Sequence, residues 1–360
     1  MLMDAFKKIT DTTMIKNRLS FVNNPCDDTA SEFLLNYFES HSKSLLFNMN
    51  FTDQDTMFSK SLHTVSMFLL GITLKQLIAK TIEKSISINA PLKLSRFDYP
   101  WLLSCLYHDV FADYEKNHTS EYPYTLPEFI EKGKIEHTIY DINLPNEINI
   151  SKFYPIYKEE TVENYYEDRI KSGRIDHGII SGYYAFDRLT KNYINNWEQN
   201  GKEKQFCTQK DNHTLIWDNN QIWVFALVAD AIVVHNIWHT EKMKSVSMEL
   251  YPNAENKAEV KLGITKTPLA YFLSLMDTIE PYKFFSNNTS NPHDILDNLS
   301  IDLHNNEITI KKSESFKYDF ENWLEEKMKN MSDWLEGTCA KKTDGSTITI
   351  TLPSNEDYAN

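Results

Sequence analysis

The 360-residue chain has no paired-cysteine framework. Its four cysteines, Cys26, Cys105, Cys207 and Cys339, are scattered and none stands in a CxxC spacing, which argues against a zinc ribbon or a disulfide scaffold. No secretory leader is evident at Met1, so a reducing, cytoplasmic setting is expected. Apolar runs are also short. The longest, VFALVADAIVV, is interrupted by Asp230 and falls well below the ~18 uninterrupted residues of a membrane span. Basic charge is scarce, with 37 Lys and Arg against 51 Asp and Glu and a net charge of −14. Broad grip on duplex DNA or on an anionic membrane comes from neutralising phosphates with Lys and Arg, so neither partner is expected. The balance instead favours a small phosphorylated molecule, for which a few local cations and a metal suffice. Internal repeats and low-complexity tracts are absent too. What remains is a chain with 41% hydrophobic residues, enough for one large core or two modest ones without staples.

The segment WLLSCLYHDVFADYEK, residues 101–116, organises the rest. An apolar helical run from Trp101 to Leu106 leads straight into His108 and Asp109, two side chains able to ligate a metal. Polar groups removed from water need partners, and one metal ion satisfies an imidazole nitrogen and a carboxylate together. Other apolar helical patterns carry one such group each: His63 in SLHTVSMFLLGITLKQLIA, His177 in RIDHGIISGYYAFDRL, His235 in FALVADAIVVHNIWH and Asp277 in TPLAYFLSLMDTIEPY. Taken singly, each has an ordinary alternative. A core histidine bonded to a backbone carbonyl satisfies the same demand as a ligand.

Helices are expected over 31–40, from Asp53 or Asp55 to about Lys84, from Pro100 through the His108-Asp109 pair, near PEFIEKGKIEH, across 163–197 with Gly173 as a joint, over 221–243, and from Pro268. Between them, 117–165 reads as a largely irregular insertion of the kind that walls a pocket, with His118 and His137 on the surface. Residues 198–221 read as a polar loop. Gly178 and Gly182, flanking Ser181, allow a close approach beside His177. Asp113, one turn beyond Asp109, is placed to accept a bond from a ligand histidine. Arg169, Lys171 and Arg174 are candidate phosphate contacts, and His239 stands one turn after His235. Asp230, inside an apolar helix, needs a buried partner. After 290, SIDLHNNEITIKK alternates like a β-hairpin, SFKYDFENWLEEKMKNMSDWLEG is an amphipathic helix, and STITITLP is a strand.

The ordered set His63, His108-Asp109, His177, His235, Asp277 resembles the HD superfamily of metal-dependent phosphohydrolases over roughly residues 60–285. The chain departs from that pattern at His235-Asn236, where metal-pair members often have two histidines, and at Val110-Phe111-Ala112-Asp113, where many carry a glycine and then a lysine. The resemblance implies a mainly α fold: an N-terminal extension over 1–50, an HD-type helical core over 51–290, and a small α/β (β-α-β) appendage over 291–360. It implies that the six residues bind one or two divalent transition metals, Mn, Fe, Ni, Co or Zn, with Mg possible in turnover. Asp109 would bridge, and a metal-activated hydroxide would attack phosphorus, with Arg174 or Lys116 steadying the phosphoryl charge. The expected activity is hydrolysis of a phosphoester or phosphoanhydride in a nucleotide-type small molecule, with homo-oligomers open. A single-strand nuclease, a non-catalytic ligand or metal sensor, and a di-iron oxygenase are the other readings the resemblance leaves open.

Overall fold

The computed structural model of the protein describes residues 54–78, 80–82, 84, 97–112, 115, 124–148, 150, 152–210, 213–237, 261–285, 289, 291–323, 325, 328 and 331–353. The expectations for 31–40, Asp113, Lys116, His118 and His239 lie outside these residues. In chain order the helices α1 to α6 are Gln54–Leu74, Asp98–Tyr107, Leu126–Gly133, Glu159–Lys171, His177–Gln199 and Asn220–Val234. Strands β1 and β2, Gln205–Lys210 and His213–Asp218, lie between α5 and α6. Helices α7 to α9 follow at Pro268–Ile279, Pro281–Phe285 and Pro292–Leu296, then β3 and β4 at Leu299–His304 and Glu307–Lys312. The short helices α10 and α11, Phe320–Trp323 and Met331–Trp334, precede β5 and β6, Cys339–Asp344 and Thr347–Thr351. The protein is therefore mainly helical with small sheets. Among the described helices, none is long and apolar enough to cross a membrane.

Two compact units emerge, one made of Met1–Ile78, Gly263–Thr265 and Ser274–Asn360, the other of Ala79–Leu262 and Lys266–Leu273. The second is built on α5 and α6. Helix α6 is apolar nearly all round, and Ile222, Val224, Phe225, Val228, Ile232 and Val233 are all at most 1% exposed. Burying each such side chain is worth about 1.5–3 kcal/mol, so a helix with no solvated stripe can only be central. Gly178 and Gly182 are where α5 meets it. A Cβ on Gly182 would stand 2.5 Å from Val233 Cγ2 and 2.7 Å from Ala229 O, and one on Gly178 would touch His235 and Ile232 O. Only glycine allows these two backbones so close, and the contacts run antiparallel, so the start of α5 faces the end of α6. Helix α2 packs on α6, and its Trp101 stacks on Phe97 while both rings meet Phe272 edge to face.

Helices α4 and α5 are separate, joined at Gly173 with φ +76°. Helix α3 opens on a capping box between Thr125 and Glu128. The irregular chain after α3 is pinned by buried carboxylates: Asp187 accepts from the N–H groups of Glu136 and His137, and Asp230 accepts from Ile156 N–H at 2.9 Å. His137 is thereby buried, not a surface residue. The expected polar loop after α5 is corrected as well. β1 and β2 form an antiparallel hairpin in which Phe206 stacks on Trp217, and both rings lean on Tyr193 of α5. Two aromatic anchors at facing positions outweigh the polar residues around them.

In the first unit, β3, β4, β6 and β5 make a four-stranded antiparallel sheet in that order. Alternation puts Leu299, Ile301, Ile308, Ile310, Ile348 and Ile350 inside. Both the expected hairpin and the expected last strand are present, and the hairpin turns at Asn305 with φ +53°. Of the amphipathic helix expected over 315–337, the described residues show α10, π-helical residues at 325 and 328, and α11. Trp323 and Met328, both fully buried, are five residues apart, a spacing that an α-helix does not keep on one face and a π-turn does. Phe285, Phe316, Phe320 and Trp323 pack edge to face beneath.

Candidate metal centre

Each unit holds its own cluster of metal-capable side chains. In the second unit, α2 ends at Tyr107, and His108 is its C-cap with the ring fully buried. Asp109 follows in a turn whose Phe111 N–H is held by Ser181 Oγ of α5 at 3.2 Å. His177 is the first residue of α5 and His235 the C-cap of α6, so the antiparallel α5–α6 pair brings them together. Asp109, His177 and His235 each offer a ligand atom, and these three atoms lie within 4.8 Å of one another. His177 Nε2 is 3.1 Å from Asp109 Oδ1, and His108 Nε2 is 3.7 Å from the same oxygen. The ring of His235 lies edge-on to both other imidazoles, with centroids 5.6 Å from His108 and 5.5 Å from His177.

The Nδ1 side of every imidazole is committed. His108 Nδ1 meets Cys105 O at 3.1 Å and His235 Nδ1 meets Ile232 O at 2.6 Å. A carbonyl only accepts, so Nδ1 carries a hydrogen in both rings, which makes Nε2 the nitrogen able to ligate a metal when the ring is neutral. His177 Nδ1 is bonded to a carboxylate, Glu115 Oε2. Glu115 Oε1 in turn takes Arg169 Nη2 at 2.6 Å, and the same nitrogen reaches Ile175 O at 3.4 Å. Burial pushes the His177 pKa down, but Asp109 and Glu115 more than reverse this and raise it to about 10. The Glu115 carboxyl is disfavoured by burial yet held below its ordinary range by His177 and Arg169.

A second pair of bonds fixes where α5 begins. Asp176, the N-cap, accepts from Ile179 N–H at 3.0 Å and from Asn236 Nδ2 at 3.1 Å. The Asn236 carbonyl accepts from Tyr165 OH at 3.1 Å. Asn236 thus links the residue after His235 to the residue before His177.

In the first unit His63 and Asp277 meet, Nε2 to Oδ1 at 3.3 Å. His63 Nδ1 is 2.8 Å from Glu280 Oε2. Glu280, 1% exposed, also accepts from Ser66 Oγ at 2.5 Å, Tyr282 N–H at 2.9 Å and Lys283 N–H at 2.8 Å. Asp277 has a cation beside it, Lys283, whose Nζ lies 2.8 Å and 3.0 Å from its two oxygens. Burial lowers the His63 pKa, and the bonds to Asp277 and Glu280 raise it further, to about 9.

Of the residues singled out from sequence, His108, Asp109, His177 and His235 are gathered in the second unit, while His63 and Asp277 are joined in the first. Arg174 is exposed, on the turn before α5. Arg169 and Lys171 are occupied by Glu115 and Asp168. The two orienting carboxylates, Glu115 and Glu280, were missed. Glu280 had a readable signal, an acid closing a strongly apolar helix immediately before Pro281. Glu115 had none, since it stands among other charges in ADYEK.

Two imidazoles and a carboxylate suit a transition metal better than calcium or magnesium. Comparison of the chain with models of protein families, with curated proteins and with solved structures gave no match.

Proposed function

We propose that Asp109, His177 and His235 hold a divalent transition metal and that the protein is a metal-dependent phosphohydrolase of the HD type, acting on a nucleotide-like small molecule. The observation that carries the metal reading is the meeting of three ligand atoms from three separate elements within 4.8 Å. Support comes from the lone pairs as well. With Nδ1 of His235 spent on a backbone carbonyl, Nε2 would be its ligand nitrogen. The resemblance in ligand order also names His63, His108 and Asp277 as residues that would hold metal.

A divalent ion held there supplies Lewis acidity, polarising a phosphoryl oxygen and drawing the pKa of water toward about 7. The chain does the rest. Asp109, 12% exposed at its side chain, offers a negative oxygen between two imidazoles. Its partial burial limits water around it, which strengthens each charge interaction. Arg174, exposed beside the start of α5 with no ion pair among the described residues, is the proposed phosphate contact. A net charge of −14 disfavours the nuclease reading, because long polyanions would be repelled away from the site.

The test is metal analysis of protein purified without chelator, together with Asp109→Ala, followed by phosphate release from a panel of nucleotides. One or two transition metals per chain, lost in Asp109→Ala along with hydrolysis, is the expected result. Bound metal without turnover on any phosphoester would favour a sensor. Wild-type protein that takes up no Mn, Co or Zn and stays inert would end the proposal.

A further inference from the structure

The three histidines of the second unit differ in what holds them. His108 and His235 bond to the carbonyls of Cys105 and Ile232, each three residues earlier in its own helix. Those partners are neutral and come automatically with the helix end. His177 Nδ1 is bonded to a side chain, and that side chain is an anion from another segment, Glu115, six residues beyond Asp109. Glu115 is itself clamped by Arg169 from the last turn of α4, whose Nη2 also reaches Ile175 O in the lead-in to α5. Both oxygens of Glu115 are therefore committed, one to the cation and one to the imidazole.

We infer that Glu115, held by Arg169, is a positioning residue for His177 as a metal ligand, an inference that rests on the metal reading proposed above. The physical case has two parts. An imidazole on a helix N-terminus can rotate about its side-chain bonds, and a bond at Nδ1 fixes the ring so that Nε2 stays 3.1 Å from Asp109 Oδ1. An anionic acceptor, unlike a carbonyl, also increases electron density on the ring and makes Nε2 a stronger donor. The arrangement is economical in sequence, since the one stretch 108–115 supplies a ligand carboxylate and the orienting carboxylate for the next ligand. It also assigns Arg169 a task other than phosphate binding, because its charge is turned toward Glu115.

The experiment is titration of chelator-stripped full-length protein with cobalt(II), read by visible absorption, for wild type, Glu115→Gln, Arg169→Met and the double variant. Glu115→Gln should weaken cobalt binding by about 10–100-fold and alter the visible band of whatever cobalt is bound. Arg169→Met should weaken it less. The double variant should be no worse than Glu115→Gln alone, because Arg169 acts through Glu115. A melting curve in chelator accompanies each variant, so that loss of affinity is separated from loss of fold. Should Glu115→Gln not fold, Arg169→Lys keeps the charge, loses the guanidinium fork and should give an intermediate loss. Wild-type binding of cobalt with Glu115→Gln unchanged within about threefold, well below the expected loss of about 10–100-fold, overturns this inference and leaves the metal centre standing. Additive losses assign both residues to folding alone and overturn it too. Wild type that binds no cobalt overturns the metal centre and this inference together.

Discussion

Asp230 is a buried acid outside the metal-capable clusters, and its environment dictates a pH dependence of stability that can be worked out. Its side chain is 2% exposed within α6, one oxygen accepts a single backbone bond from Ile156 N–H, and the other oxygen has no hydrogen-bond partner among the described residues. Burial raises its pKa from 3.8 to about 8, with the Ile156 bond opposing. Below about pH 4 the carboxyl is neutral in both folded and unfolded chains, and the linkage costs nothing. Between about pH 4 and 8 the unfolded chain ionises and the folded one does not, so stability falls as pH rises. Above about 8 both ionise and the loss levels off. At 1.36 kcal/mol per pH unit the loss reaches about 4 kcal/mol at pH 7. Asp230→Asn keeps the acceptor for Ile156 and cannot ionise. Urea unfolding of wild type and Asp230→Asn at several pH values cancels every other titrating group in the difference. The variant should be ahead by only about 1 kcal/mol at pH 4.5 and by several kcal/mol at pH 7.5. A difference that stays constant across this range would refute the buried, ionisation-resistant carboxyl.

Three further outcomes are expected. Gly182→Ala forces a methyl into Val233 and the Ala229 carbonyl; overpacking against backbone of about 3 kcal/mol, offset by about 1 kcal/mol of helix propensity, should leave a net loss of about 2 kcal/mol in urea unfolding and weaken metal binding by parting α5 from α6. Glu280→Ala strips the acceptor from His63, Ser66 and two backbone N–H groups and should cost about 3–5 kcal/mol, read as a lower urea midpoint with an unchanged slope. Saturating cobalt or zinc, at 100 times its dissociation constant, should stabilise wild type by about 2.7 kcal/mol; a melting temperature indifferent to metal and chelator would contradict the proposed centre.

The helices that carry His63, His108, His177, His235 and Asp277 were legible because each is an apolar pattern at helical spacing, and burial enforces that pattern locally. The joint at Gly173, the Asn-Asn hairpin and the final strand were legible for the same local reason, a turn residue between periodic runs. The β1–β2 hairpin was not, since two aromatic anchors in a polar stretch declare themselves only against Tyr193. Nor were the π-helical residues at 325 and 328, which go with the burial of Trp323 and Met328 five residues apart. The ligand candidates could be picked out as polar groups on buried faces, which is a property of single residues. Their company could not. That Glu115 bonds His177, that Arg169 serves Glu115, that Asn236 ties down Asp176, and that Asp277 meets Lys283 all depend on how elements distant in the chain are brought side by side. Periodicity determines which face of an element is buried; only close packing, at positions such as Gly178 and Gly182, decides which polar groups then meet.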